Sequence, residues 1–129
     1  MASYFWIAIG SALGGAARYW CSGIAARLIG ETFPWGTLIV NVIGSFLIAL
    51  LMEISLRVAS FPDELRLALT TGLMGGFTTY SSFNFETTTL AQNDDFGRAA
   101  ANVGITLVAC VAAGLVGLLL ARAVTPAPG

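Results

Sequence analysis

The sequence contains no histidine and no lysine, and only 10% of its 129 residues are charged. A soluble domain normally has about 25% charged residues, so this chain has too few to cover a soluble surface of its size. The net charge of −1 offers no basic patch for a nucleic acid, and without histidine there is no His-ligated metal site. Hydrophobic residues make up 57% of the chain and the mean hydropathy is +0.82, which indicates a protein embedded in a membrane.

The two cysteines, Cys21 and Cys110, lie in apolar surroundings, where a thiol behaves as a small buried residue. We expect neither a disulfide nor a metal site from them. The sequence shows no nucleophile–base pair and no cluster of metal ligands, so we do not expect an enzyme. Because no long polar segment could form a second domain, residues 1–129 are predicted to form one domain.

Four segments have the roughly 20 mostly apolar residues that a membrane-spanning helix needs. They are residues 4–29, 35–52, 66–86 and 99–121. Pro34 and Pro62 fit the starts of the second and third helices, and the tail 125–129 is predicted to fray. The N-terminus lacks the positive region of a secretory signal, so we expect the first helix to be retained. The sequence therefore predicts an all-α, multi-pass membrane protein with four transmembrane helices.

Small residues recur four positions apart in three of these segments and predict close contacts between helices. The pairs are Gly10 with Gly14, Gly72 with Gly76, and Ala113 with Gly117.

The arginines give little information about orientation in the membrane. If the helices alternate, Arg27 and Arg98 lie on one side and three arginines lie on the other, while Arg18 almost levels the count. Since the arginine balance of the loops sets the orientation, two hypotheses stay open. Either the chain inserts both ways and pairs antiparallel, or an excess of one arginine is sufficient.

Polar residues form a stripe on each of three predicted helices, at spacings that place them on one face. The stripes are Thr37, Asn41 and Ser45; Thr79, Ser82 and Glu86; and Asn102, Thr106 and Cys110. Polar groups inside a membrane usually face a partner or a water-filled path. These stripes could bind the helices to one another, but three in register fit the lining of a narrow path better.

The third segment is predicted to break in the middle of the membrane. Gly75 and Gly76 are followed by the β-branched Thr78 and Thr79, a combination that weakens a helix. A break frees backbone carbonyls that only protein, water or a bound ion can satisfy. Either these carbonyls hold a cation or the break is a kink relieved by threonine hydroxyls.

Phe77, Tyr80 and Phe83 recur every three residues beside these stripes. They could form an aromatic core, or their electropositive ring edges could attract an anion weakly. A path rich in neutral donors and poor in carboxylates suits an anion more than a cation. Arg18 adds a positive charge near membrane depth, and Glu86, near a helix end, is expected in a vestibule.

The runs GTLIVNVIGS (36–45) and GLMGGFTTYSSF (72–83), with residues 14–18 upstream, resemble the bacterial fluoride channels of the Fluc family, also called CrcB proteins. The resemblance covers the whole chain. It implies a channel in the bacterial inner membrane that lets cytoplasmic fluoride escape passively and so reduces its toxicity. It also implies an antiparallel, dual-topology homodimer with two fluoride pathways.

The resemblance further implies a structural sodium ion at the dimer interface, held by main-chain carbonyls of Gly75 and Thr78. It implies roles in or beside the fluoride pathway for residues of all three stripes and their surroundings. These residues are Asn41, Tyr80, Phe83, Ser81, Ser82, Thr37, Glu86 and Thr106, with Arg18 in a structural or electrostatic role. Two departures stand out: Tyr80 replaces a frequent phenylalanine, and Cys110 replaces a frequent pore serine.

Two other classes of function remain as alternatives. A small four-helix, proton-coupled multidrug exporter would need a carboxylate in its first helix, and the first segment here has none. A non-conducting membrane assembly subunit would show no ion flux when purified alone.

Overall fold

The computed structural model describes residues 1–127; Pro128 and Gly129, the end of the tail predicted to fray, lie outside them. Within these residues the chain is helical, without a β-strand, which confirms the all-α class. The helices are α1 (Ala2–Ile29), α2 (Trp35–Arg57), α3 (Asp63–Leu67), α4 (Gly75–Phe77), α5 (Tyr80–Gln92) and α6 (Phe96–Val124), and the π-helical segment Ala68–Met74 joins α3 to α4.

Helices α2 and α6 are long and apolar enough to cross a membrane. Helix α2 continues past the predicted end at Met52, and the next residue, Glu53, is hydrogen-bonded to two arginines. Its carboxylate accepts a hydrogen bond from Arg57 at 2.8 Å, one turn along the same helix, and one from Arg122 of α6 at 3.0 Å. The bond to Arg122 holds one end of α2 against one end of α6.

Glycines let α1 lie with its backbone directly against the π-helical segment and α4. A Cβ atom added to Gly10 would overlap the carbonyl oxygen of Ala68, and one added to Gly72 would lie 2.8 Å from that of Ile7. Between α2 and α6, a Cβ on Gly117 would overlap the carbonyl oxygen of a residue of α2. The close helix contacts predicted from the small residues are therefore confirmed.

The buried apolar core is small. Its centre is Val40, Met74 and Phe77, with exposed fractions of 0%, 4% and 7%. Large apolar side chains are instead exposed along most of the helices, especially on α6. An outer surface of this kind suits lipid rather than water.

Thr78 and Thr79, which we call the extended pair, separate α4 from α5. Their backbone angles are −86° and 156° for Thr78 and −152° and 116° for Thr79. Both residues are β-branched and therefore favour extended backbone over helix. Thr79 then caps α5, because its hydroxyl accepts a hydrogen bond from the N–H of Ser82 at 3.2 Å.

Candidate functional site

Helices α2, α5 and α6 and the extended pair enclose an open groove of about 450 Å³. It brings together residues from all three predicted polar stripes. Its polar lining includes Asn41, Ser45, Thr79, Tyr80, Thr106 and Cys110, beside the ring of Phe83. The rest of the lining is mostly aliphatic, so the groove has few polar groups and no ionised side chain among its lining residues.

Asn41 holds both backbone groups of Thr79. Its Nδ2 donates to the carbonyl oxygen of Thr79 at 3.0 Å, and its Oδ1 accepts from the N–H of Thr79 at 2.8 Å. These bonds satisfy the backbone groups of Thr79, which the extended pair removes from helical hydrogen bonding. Asn41 itself is only 8% exposed. The sequence allowed Asn41 either to bind a neighbouring helix or to line an ion path, but it did not identify Thr79 as a partner. An amide, with donor and acceptor together, is suited to satisfying a released peptide group.

Arg18 satisfies another of the released groups. In a continuous helix the N–H of Tyr80 would donate to the carbonyl of Gly76. Instead the Nε of Arg18 donates to this oxygen at 3.1 Å. The arginine thus joins α1 to the end of α4 and places a positive charge beside the extended pair.

The extended pair also leaves the carbonyl oxygens of Gly75 and Thr78 without the N–H donors that they would have in a continuous helix. The N–H of Thr79, which would bind the carbonyl of Gly75 in a continuous helix, donates to Asn41. The N–H of Ser82, which would bind the carbonyl of Thr78, donates to the hydroxyl of Thr79. Carbonyl oxygens without helical donors are suitable ligands for a hard cation, so these two residues fit the predicted sodium site.

Tyr80 and Phe83 lie together at the groove, with ring centroids 5.7 Å apart and planes inclined at 55°. Tyr80 is 78% exposed, whereas Phe77 is buried in the core. The spacing of three residues does not unite all three rings on one helix face, because the extended pair interrupts the helix between Phe77 and Tyr80.

Thr37 and Glu86 lie in a second cavity, of about 390 Å³, between the α1–α2 loop and α5. The hydroxyl of Thr37 donates to Oε1 of Glu86 at 2.7 Å. The other carboxylate oxygen is buried and has no hydrogen-bond partner among residues 1–127. Thr37 is near the start of α2, but the expected position of Glu86 near a helix end is wrong, because α5 continues to Gln92 and Glu86 lies in its middle. Neither residue lines the groove that contains Asn41.

The remaining predicted hydroxyls take different positions. Those of Ser81 and Ser82 contact Oγ1 of Thr79, at 3.2 and 3.1 Å, at the start of α5. Thr106 lines the groove, but Asn102 of the same stripe is 1% exposed and donates to Oγ1 of Thr87 at 2.8 Å. Sequence reasoning missed Thr87; its position one turn after Phe83 was the available signal.

Comparisons with known proteins identify the family. The family model described as "CrcB-like protein, Camphor Resistance (CrcB)" matches residues 5–118. A protein of Sorangium cellulosum (strain So ce56) is 48% identical over 122 residues, 95% of this chain and 96% of that protein. One from Citrifermentans bemidjiense is 45% identical over 123 residues, 95% and 99% of the two chains. One from Anaeromyxobacter dehalogenans (strain 2CP-1) is 48% identical over 122 residues, 95% and 97%.

All three relatives are named "Fluoride-specific ion channel FluC". Each match covers nearly the full length of this chain and of the relative, and the family model covers all the residues that line the groove. The resemblance read from residues 36–45 and 72–83 is thereby confirmed, and the chain belongs to the CrcB family.

Proposed function

We propose that this chain is a fluoride-specific ion channel, not an enzyme, and that it lets fluoride leave the cytoplasm passively and so reduces fluoride toxicity. The observation that carries the proposal is the groove, in which neutral donors of three helices meet two aromatic rings. The names of relatives at 45–48% identity support it. Two apolar helices of sufficient length support a location in a membrane, which we propose is the bacterial inner membrane.

In this proposal the chain crosses the membrane four times, through α1, α2, the run from α3 to α5, and α6. The extended pair then lies near the middle of the third crossing. Two copies pair antiparallel, in a dual-topology homodimer. The near balance of arginines between the two ends and the broad exposed apolar surface support this arrangement.

Fluoride holds its hydration water tightly, so its path has to replace part of that water without trapping the ion. Asn41 uses one N–H on Thr79, and a side-chain amide has two. Its second N–H is therefore available to an anion in the groove. The hydroxyl of Thr106 and the ring edges of Tyr80 and Phe83 are weaker partners on the other walls. Thr37, Glu86, Ser81 and Ser82 belong to the approach at either end of this path.

A structural sodium ion at the interface between the two copies would be held by the main-chain carbonyls of Gly75 and Thr78. Its charge would satisfy oxygens that the extended pair removes from helical hydrogen bonding. Asn41 and Thr79 support this site by diverting the two N–H donors. Arg18 takes the neighbouring carbonyl of Gly76 and so leaves it out of the ligand set.

The test is fluoride efflux from liposomes that contain the purified chain, followed with a fluoride electrode, with chloride efflux as the control. We expect rapid fluoride release and little chloride release. Proton-coupled uptake of organic cations would favour a multidrug exporter instead. Absence of any ion flux from the folded, reconstituted protein would favour an assembly subunit.

A further inference from the structure

Helix α5 carries the groove residues Tyr80 and Phe83, yet none of its side chains is buried. Its large apolar side chains, among them Phe83 and Leu90, are at most half-buried, so apolar packing alone does not fix its position. Polar contacts also join it to its neighbours. Thr79 and Glu86 are bound to residues of α2, and Thr87 is bound to Asn102 of α6.

The contact with α6 extends into a line of hydrogen bonds that reaches the groove at both ends. Asn102, at its centre, is 1% exposed. Its Nδ2 donates to Thr87 at 2.8 Å, and the hydroxyl of Thr87 donates to the carbonyl oxygen of Phe83 at 2.7 Å. On the other side, the hydroxyl of Thr106 donates to Oδ1 of Asn102 at 3.4 Å.

On each helix, the two residues that take part in this line of hydrogen bonds are one turn apart. On α5, Phe83 lines the groove and Thr87 lies one turn beyond it. On α6, Thr106 lines the groove and Asn102 lies one turn before it. The bond between Asn102 and Thr87 therefore joins the two helices one turn from the place where Phe83 and Thr106 form groove walls.

We propose that Asn102 and Thr87 are positioning residues that set the separation of Phe83 and Thr106, and through it the discrimination of fluoride from larger halides. This inference rests on the proposed fluoride-channel function. Interhelical hydrogen bonds contribute to helix association in membranes, and on α5, where no side chain is fully buried, the bond to Asn102 supplements only half-buried apolar contacts. Without the bond, the groove widens and fits a small anion less closely.

The experiment compares Thr87→Val and Asn102→Leu with two matched controls. Thr87→Ser keeps the hydroxyl. Thr70→Val removes a different buried hydroxyl, 3% exposed as a residue, which donates to the carbonyl of Arg66 outside the groove. Each protein is reconstituted, and initial rates of fluoride and chloride efflux are measured in parallel, with the unfolding temperature in detergent.

We expect Thr87→Val and Asn102→Leu to lower the ratio of fluoride to chloride flux about tenfold, the scale on which a fitted site discriminates by small differences in size. Thr87→Ser and Thr70→Val keep the ratio, although Thr70→Val lowers the unfolding temperature. If Asn102→Leu does not fold, the smaller change Thr87→Val decides the question.

An unchanged ratio in folded Thr87→Val overturns the inference, since the bond would then be only structural. An equal fall in Thr70→Val also overturns it, because the effect would then follow from general destabilisation. These outcomes presuppose a fluoride-selective parent protein. A parent protein without fluoride flux would refute the proposed function itself.

Discussion

Replacing Gly14 with alanine should force α1 away from the π-helical segment and α4, whereas the same change at the adjacent Gly15 should not. A Cβ on Gly14 would lie 2.9 Å from the backbone N of Phe77 and 3.0 Å from the carbonyl carbon of Leu73, and closer still to its oxygen. Real Cβ atoms essentially never approach within 3.0 Å, and these neighbours are backbone atoms that cannot rotate away. A Cβ on Gly15 would meet nothing within 4 Å.

The two variants should therefore change the free energy of unfolding in opposite directions. Overpacking costs about 1–3 kcal/mol, and overlap with backbone atoms at Gly14 places the cost in the upper part of that range. It therefore exceeds the gain of about 0.8–1.0 kcal/mol from replacing glycine by alanine in a helix. At Gly15 only that gain applies. The displacement at Gly14 should also disturb the bond from Arg18 to Gly76, 3.1 Å long, and so reduce fluoride flux.

Thermal unfolding in detergent, with fluoride efflux from liposomes, measures both effects of the Gly14→Ala substitution. The Gly15→Ala protein, with parental flux and equal or higher stability, is the control. Equal stability and equal flux in the two variants would show that the backbones of α1 and the π-helical segment leave room for a Cβ atom at Gly14, and would refute this reasoning.

Three further predictions concern the groove and the cation. Phe83→Ile should remove most fluoride flux while the protein stays folded, and Phe96→Ile, at a 64% exposed residue, should not; unchanged flux in the first would refute the aromatic role. Asn41→Asp should block flux because a fixed negative charge repels fluoride, and it should cost about 1–3 kcal/mol because the carbonyl of Thr79 loses its donor. The control Gln92→Glu also exchanges an amide for a carboxylate, at an exposed position, and should keep normal flux. Normal flux in Asn41→Asp would contradict the place of Asn41 in the fluoride pathway. Replacing sodium by N-methylglucamine should lower the unfolding temperature reversibly, by a free energy of about 2.7 kcal/mol if sodium was present at 100 times its Kd; equal temperatures would exclude the sodium site.

The helices could be predicted from the sequence because their signals are local. Runs of apolar residues bounded by Pro34, Pro62 and short polar links locate the starts of the helices to within a few residues. Two ends were placed too early, since α2 continues past Met52 to Arg57 and α5 continues past Glu86 to Gln92. Beyond Met52, Glu53 bonds to Arg57 in the same helix and to Arg122 of α6. The second of these partners is 69 positions away in the chain.

The groove could be predicted only in part. Spacing placed Asn41 with Ser45, and Thr106 with Cys110, and each pair does line it. The same spacing placed Asn102 beside Thr106, but Asn102 is buried against Thr87. Periodicity identifies a helix face, but it does not say which part of that face a neighbouring helix covers.

By itself, the sequence determined an apolar, all-helical chain of the CrcB family, with glycines where helices touch and threonines where the helix is interrupted between α4 and α5. Composition, periodicity and local backbone preference are properties of neighbouring residues, so they can be read without a structure. Only the tertiary structure shows that Asn41 binds the backbone of Thr79 and that Arg18 donates to the carbonyl of Gly76. It also shows that Phe77 packs in the core, apart from Tyr80 and Phe83. These contacts join residues far apart in the chain, and their geometry exists only after the helices have packed.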